Sequence, residues 1–572
     1  MRLQIFSKIL ISLLIFLLAG LLYTQSFKHD EYKLMSEQNR LRVLPLAAPR
    51  GSIFDRNGKV IAKDDLSFNL SLIYSQMKDK EKIIKALENI LLMPEEKAVK
   101  KIQESRRMPY SPVVIANDIG TDAVIKFEEI ISDYPGLVVE PSTIRKYTNE
   151  QAFSHLVGYL GLINRTEFNK LKHYGYRIND LVGRSGLELQ YDNYLRGVYG
   201  GKQVEVDNIG REIEVIGYKK PIPGRNIYLS IDADLQEFCF NELKDRKGVI
   251  IALDPRSGEI YAMVSYPAYN PSYFIDSSKN KIAVGFIYDK TLPMINRAIS
   301  GQYPPGSIFK IVTSTAALET RMADKTTSFN CSGYVTLGKF RFNCWKKSGH
   351  GTVSIVEAIK YSCNVFFYRL GMVTGDKYIT KYSEIMGLGK KTGLVLPGEE
   401  IGNVPSEKWK KKRFNEPWYK GDTLNFSIGQ GYLLVTPIQL IRMFSCIANK
   451  GFLFQPYLVL KIDDVNVAHS SLTPIGISKN TIAIITEGLI QCVNGEHGTG
   501  MRAKSVNMTI AGKTGTAQTG KANNHGWFAG FAPSKDPKLA VLVLDEYGEG
   551  GGYFAAETGG KVFEKARELG LV

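Results

Sequence analysis

One apolar run near the start governs how the rest of this chain can fold. Ile9 to Leu22 consists almost entirely of large apolar residues, broken only by Ser12, Ala19 and Gly20, with Arg2 and Lys8 before it. A helix from Ile5 to Tyr23 would extend roughly 28 Å at ~1.5 Å per residue, close to the hydrocarbon thickness of a bilayer. Lys8 at its end can reach the interface. A cleaved leader is the alternative, because its apolar region can be equally short. Ala19-Gly20 runs straight into Leu21-Leu22-Tyr23, however, so no small-x-small site closes the run, and a retained anchor is the favoured reading. Either way the basic flank marks the cytoplasmic side, and everything after about Phe27 is exported. No later stretch is long enough to span a membrane, so one anchor at 9–27, behind a short tail at 1–8, carries a large globular part.

With 572 residues that part is expected to form two or three domains, and 44% hydrophobic with 23% charged residues is a globular balance. The formal charge of +16 favours anionic contacts. Nucleic acid is excluded as partner by the exported location and by the absence of zinc-finger, basic-zipper or aromatic-interleaved RNA-binding patterns. The densest basic run, Lys410 to Arg413 between Trp409 and Phe414, reads as a solvated face, or as a contact for a diphosphate-bearing lipid or the membrane surface.

Periodicity places a strand at Ser67–Tyr74 and a helix at Glu81–Leu92, with a turn at Asp55-Arg56-Asn57-Gly58. Pro221-Ile222-Pro223-Gly224 suggests a boundary near 225. Beyond it, Val249–Leu253 and Ile260–Val264 flank a turn-rich connection and read as a hairpin. Helices are expected from Ser307, Val353 and Thr436, and strands at Lys513–Gln518 and Leu539–Leu544. Strands, helices and strands again predict an α/β sandwich whose sheet is built from both ends of the segment.

The chemistry sits in three short motifs. In Pro304-Pro305-Gly306-Ser307-Ile308-Phe309-Lys310 the prolines and glycine force a helix to begin close to Ser307. Lys310 then shares a helical face with Ser307, where an amine can take the hydroxyl proton of an otherwise poor nucleophile. Ser362-Cys363-Asn364 follows 55 residues after Ser307, and Lys513-Thr514-Gly515-Thr516 another 151 residues on. Singly, these read as a capping serine, a helix cap and a turn. Their order and spacing together match the Ser-x-x-Lys, Ser-x-Asn and Lys-Thr-Gly set of acyl-serine enzymes.

At this point the chain resembles, over nearly its whole length, a class B penicillin-binding protein. Arg50 to Gly58 is similar to that class's first pedestal motif. Gly183 to Glu188, Tyr191, Leu195-Arg196-Gly197 and Asp207 are similar to the later ones. Tyr303 to Lys310, Cys344 to Gly351 and Trp418 to Asp422 point to the elongation enzymes of the class, and Gly429-Gln430-Gly431, Thr436-Pro437 and Gln439 also fit. The resemblance implies a multidomain α/β and α+β fold. A mostly β, elongated pedestal would occupy 28–225, and a penicillin-binding/β-lactamase-like transpeptidase domain, an antiparallel sheet flanked by helices, 226–572.

It implies a peptidoglycan D,D-transpeptidase of the inner membrane with its bulk in the periplasm. Ser307 would attack the penultimate D-alanine carbonyl of a stem peptide, with Lys310 as base. Ser362 and Asn364 would relay protons and bind the amide, and Lys513, Thr514 and Thr516 would hold the terminal carboxylate. The N–H groups of Ser307 and Thr516, with Gly515 between Thr514 and Thr516, would form the oxyanion hole. Expected partners are stem peptides, lipid-linked glycan, β-lactams, a polytopic SEDS-type glycosyltransferase and other elongation-complex proteins; no organic cofactor is expected. A β-lactamase, a D,D-carboxypeptidase and a β-lactam sensor or scaffold are the alternatives. The first has no need of a pedestal and would require a carboxylate base that is not identifiable; a sensor would need a transmembrane signalling module.

Three of the six cysteines, Cys239, Cys446 and Cys492, sit in apolar helical contexts and read as buried core thiols. Cys331, Cys344, His350 and Cys363 fall within 33 residues and offer three sulfurs and one imidazole, a set suited to structural zinc. A Cys331–Cys344 disulfide is the competing reading for an exported protein. It leaves Cys363 and His350 unexplained, and some members of the resembled class carry zinc here. Gly548 to Gly552 lacks the pattern of a nucleotide loop and reads as a flexible loop near the site's rim, and His525 as a structural histidine.

Overall fold

The computed structural model describes residues 2–33, 41–110, 112–178, 180–207, 212–276, 278–520, 523–548 and 550–572. Arg2–Leu22 is a helix, extended by one π-turn over Tyr23–Phe27. Its apolar side chains are exposed all round, with Phe16 at 78%. Among the described residues it is the one helix long and apolar enough to cross a membrane.

The chain forms two compact units. One comprises 1–51, 64–145 and 196–224, the other 52–63, 146–195 and 225–572. The long stretch of the second unit begins at the expected break near 225. Segments 52–63 and 146–195, which sequence alone assigns to the pedestal, pack instead with the second unit.

In the first unit, Leu41–Leu46, Gly200–Val206 and Glu212–Lys219 make an antiparallel sheet. Helices Lys80–Leu91, Glu95–Ser105 and Gly120–Ile130 bury Ile83, Leu87, Ile102 and Phe127 with Leu70 and Leu72. The expected helix at 81–92 is thus present. It starts where the Asp79 carboxylate accepts the Lys82 N–H.

The second unit is organised on a five-stranded antiparallel sheet of β1 (Gly248–Leu253), β2 (Ile260–Tyr266), β3 (Ala511–Ala517), β4 (His525–Ala532) and β5 (Leu539–Asp545), in the order β2-β1-β5-β4-β3. Both ends of the segment build it, as the pattern predicts. β1, β4 and β5 are buried at every position because helices cover both faces. Ile250, Ala252, Val541 and Val543 pack with Leu235 and Phe563 from helices Ala233–Leu243 and Ala556–Glu568. Val249, Ile251, Leu542 and Leu544 join the core that holds Ile438 and Phe444 of helix Pro437–Ala448. That last helix starts at the expected point, with a Thr436–Gln439 capping box and Pro437 in its first turn. Val353 behaves differently from expectation: it lies in a short strand, Gly351–Ser354, and the helix begins at Ile355, capped by Ser354 and Glu357.

The basic run is also not uniformly solvated. It forms helix Glu407–Phe414, in which Lys411, Lys412 and Arg413 are exposed but Lys410 is buried. The Lys410 ammonium meets Asp422 at 2.6 Å and lies 4.3 Å from the Tyr419 ring centre. Removing Lys410 leaves the largely desolvated Asp422 carboxylate without its counter-charge, with the Tyr419 N–H as its remaining described donor. Lys410→Ala is therefore expected to cost about 3 kcal/mol, and Lys412→Ala under about 0.5 kcal/mol. Thermal unfolding of the two variants checks this.

Candidate active site

Ser307 stands on a turn that two glycines make possible. Gly306 has φ +54, and a Cβ there would come within 2.7 Å of the Thr516 carbonyl oxygen. Its N–H donates to Gly429 O at 3.0 Å. Gly429, at φ +76, approaches so closely that a Cβ would lie 2.2 Å from Gly306 O. The Ser307 turn, the Gly429 loop and strand β3 thus meet backbone to backbone. Gly306–Phe309 is a 3₁₀ turn that runs directly into α-helix Lys310–Glu319. The expected start near Ser307 is therefore correct, with a tighter first turn. Ser307 is partly exposed; Lys310 is fully buried.

The Lys310 Nζ donates to Ser362 O at 2.8 Å and to Asn364 Oδ1 at 2.8 Å, and lies 3.2 Å from Ser362 Oγ. Among the described hydrogen bonds it is held by the second motif rather than by Ser307. Burial pushes its pKa from the ordinary 10.5 down to about 7, and the charge of Lys513 acts in the same direction. The two carbonyl-type acceptors can only accept. A neutral amine satisfies both with its two N–H groups and keeps its lone pair for a hydroxyl proton.

Ser362 sits at φ +53, an uncommon conformation for a residue with a side chain. It links helix Ile355–Lys360 to helix Asn364–Thr374, and the sharp turn leaves its carbonyl and hydroxyl facing Lys310. Cys363 is the N-cap of the second helix, its Sγ accepting the Phe366 N–H at 3.4 Å. Asn364 Nδ2 donates to Asn343 O at 3.3 Å.

Strand β3 carries the third motif. Lys513 is fully buried, with its pKa lowered by desolvation, and its Nζ donates to Thr514 O at 2.9 Å. Gly515 leaves room for the turn before Ser307: a Cβ would meet Pro305 O at 3.1 Å and Ile308 Cγ1 at 3.2 Å. Trp527 Nε1 on the neighbouring strand donates to Pro304 O at 3.1 Å, which holds the turn against the sheet. Thr516 is exposed, and its Oγ1 accepts the Gly551 N–H at 3.4 Å. The glycine-rich stretch therefore does border the site, with Glu549 outside the described residues. His525 is buried and accepts the Tyr547 N–H on Nδ1 at 3.1 Å, a structural role.

Beside this constellation the ligand atoms of Cys331, Cys344, His350 and Cys363 all lie within 4.8 Å of one another. The His350 Nδ1 is 3.6 Å from both Cys331 Sγ and Cys344 Sγ. Cys331 ends strand Ser328–Cys331, which pairs with Gly351–Ser354 directly after His350; Cys344 follows the hairpin of Tyr334–Leu337 with Phe340–Asn343, and Cys363 is the cap of helix Asn364–Thr374. The His350 ring is stacked near the Tyr361 ring, at 5.9 Å between centres. All six cysteines are free thiols, and Cys239, Cys446 and Cys492 are buried in helices as expected.

All twelve residues singled out by sequence thus fall in the second unit, and contacts tie each motif to the next. Sequence reasoning missed Asn343, whose carbonyl anchors Asn364, and Thr499, which bonds to Thr514. A backbone carbonyl leaves no mark in a sequence, and Gly498-Thr499-Gly500 carries no chemical signature of its own.

A serine on a helix-start turn, a buried amine with its pKa lowered to about 7, a Ser/Asn pair and a Lys-Thr-Gly strand on a helix–sheet–helix scaffold make up the arrangement of the acyl-serine enzyme class. Residues 248–566 match the penicillin-binding protein transpeptidase domain, and residues 45–229 the penicillin-binding protein dimerisation domain. The peptidoglycan D,D-transpeptidase MrdA of Acinetobacter baumannii is 33% identical over 568 residues, covering 95% of this chain and 84% of its own. Among solved structures, the complex of penicillin-binding protein PBP2 with MreC from Helicobacter pylori matches with a TM-score of 0.82 at 28% identity, covering 93% of this chain and 100% of that one. A structure described as the structural coordination of polymerization and crosslinking by a peptidoglycan synthase complex matches with a TM-score of 0.76 at 29% identity, covering 100% and 99%. The chain belongs to the class B penicillin-binding proteins, in their PBP2 group.

Proposed function

We propose that this chain is the peptidoglycan D,D-transpeptidase that cross-links stem peptides during cell elongation, through an acyl-serine intermediate that β-lactams trap. The observation that carries the reading is the Lys310 amine, buried among Ser362 and Asn364 with neutral acceptors only. Ser307 Oγ attacks the penultimate D-alanine carbonyl while its proton passes to Lys310. Ser307 and Thr516 N–H groups receive the oxyanion, each such donor typically contributing ~3 kcal/mol. Lys310 passes the Ser307 proton through Ser362 to the nitrogen of the leaving D-alanine as its amide bond breaks. The amine of a neighbouring stem peptide then attacks the ester, forming the cross-link amide as the bond to Ser307 Oγ breaks. The amine's proton returns through Lys310 to Ser307 Oγ. Thr514 and Lys513 support the reading by their place on β3, where the terminal carboxylate of the donor would lie. The apolar helix would hold the protein in the inner membrane with the catalytic unit in the periplasm. A polytopic glycosyltransferase of the elongation complex would be its partner there, as the matched synthase assembly supports.

The pH dependence tests the base. Acylation needs the neutral amine, so its rate is expected to rise with unit slope below about 7 and level off above it. The fold itself should gain stability as pH climbs from about 7 towards 10.5, where the unfolded chain still binds a proton that the native state has released. Stopped-flow acylation by a penicillin between pH 5 and 9, with the labelled peptide mapped, decides it; a flat profile would remove Lys310 as the base.

We also propose that Cys331, Cys344, His350 and Cys363 hold a structural zinc ion. The donor set fits: tetrahedral zinc with bonds of about 2.3 Å to sulfur and 2.0 Å to nitrogen holds neighbouring S and N atoms about 3.5 Å apart. His350 Nδ1 stands close to that separation, at 3.6 Å, from two sulfurs. Bound there, the ion would neutralise thiolate charge and tie the two strand pairs to the Cys363 cap. It takes no part in the acyl transfer.

A further inference from the structure

Thr499 lies outside all three motifs, in the Gly495–Gly500 connection after helix Lys479–Asn494. The Thr514 hydroxyl donates to Thr499 Oγ1 at 2.8 Å. Thr499 in turn is tied from two sides. Its N–H donates to Lys360 O at 3.4 Å, its Oγ1 is 3.5 Å from the same oxygen, and Cys492 Sγ lies 3.3 Å from Oγ1. The turn that presents it is tight. Gly500 N donates to Cys492 O at 3.0 Å, and a Cβ at Gly498 would lie 2.3 Å from that same carbonyl oxygen.

Lys360 is two residues before Ser362, so Thr499 bridges the backbone behind the second motif to the side chain of the third. A threonine hydroxyl has one donor and two acceptor sites. While Thr514 donates to Thr499, its only hydrogen is unavailable to a ligand. A carboxylate arriving at Thr514 can reverse the pair. Thr499 gives up its long contact with Lys360 O and donates to Thr514, and Thr514 donates to the carboxylate.

We propose that Thr499 is a positioning residue for the donor's terminal carboxylate, holding the Thr514 hydroxyl in place and switching its hydrogen towards the substrate. The inference rests on the reading that Thr514 binds that carboxylate, and the experiment separates the two. Second-order acylation rates of the full-length protein are measured with benzylpenicillin and with its methyl ester, for wild type, Thr499→Val, Thr499→Ser and Thr514→Val. A hydrogen bond to a charged group typically contributes 1.5–3 kcal/mol, about 10- to 100-fold. Thr499→Val is therefore expected to slow the carboxylate form about 10-fold and the ester less than about 2-fold, and Thr499→Ser to restore most of the loss. An equal loss with both compounds, no loss with either, or no recovery with serine would overturn the role of Thr499. If Thr514→Val itself fails to discriminate, the carboxylate reading falls, and the inference with it.

Discussion

Ser307→Ala is expected to abolish covalent labelling by a fluorescent penicillin and to lower cross-linking on the order of 10⁶-fold, as loss of a serine nucleophile does in other acyl enzymes. The side chain is partly exposed on the 3₁₀ turn, and the turn is held by Gly306, Pro304 and their partners rather than by the hydroxyl. Removing Oγ opens no cavity and breaks no described hydrogen bond. The unfolding temperature should therefore stay within about 1 °C of wild type, which separates lost chemistry from lost structure. The labelled protein is read by gel fluorescence and peptide mapping. Labelling that persists in Ser307→Ala would place the nucleophile elsewhere and remove the mechanism.

The second large effect is expected at the Cys331, Cys344, His350 and Cys363 cluster. Purified protein should contain one zinc per chain by elemental analysis, and Cys363→Ser or His350→Ala should lose it. An ion held at a thousand times its dissociation constant adds about 4 kcal/mol to the native state, so both variants should unfold several degrees earlier. The effect should also reach the chemistry. Cys363 caps the helix that begins with Asn364, and Asn364 holds the Lys310 amine. Asn343, the neighbour of Cys344, binds Asn364 from the other side. Acylation by penicillin is therefore expected to fall about 10-fold or more in the metal-free variants, while the fold persists on its large independent core. Protein that contains no stoichiometric metal and carries a Cys331–Cys344 disulfide would overturn the zinc reading and leave the disulfide in its place.

Much of the fold was legible because it follows local rules. The apolar N-terminal helix, the 249–264 hairpin, the helix at 81–92, the helix from Thr436 and the strands expected at 513–518 and 539–544 are each written in a few adjacent residues. Less local features were not. Whether 52–63 and 146–195 pack with the pedestal or with the catalytic unit depends on which apolar faces meet, and nothing in either segment states its partner. Lys410 and Lys411 are neighbours of the same charge. One is buried against Asp422 and the other is solvated, because a helix turns about 100° per residue and only one of its faces is covered.

The active site divides the same way. The identity and order of Ser307, Lys310, Ser362, Asn364 and Lys513 stand in three short motifs, because an acyl-serine mechanism calls for those functional groups and only a few short spacings present them. The sequence by itself also determined the apolar anchor, whose length matches a bilayer. The tertiary structure alone decided the working state of these groups. In the proposed mechanism Lys310 can serve as the base because the fold removes it from water, which lowers its pKa to about 7, and surrounds it with neutral acceptors. Desolvation belongs to the assembled core and to no single residue, and so it is absent from the linear chain. Thr499 becomes a neighbour of Thr514 for the same reason: the connection after helix Lys479–Asn494 must first pack against strand β3 before the two hydroxyls can meet.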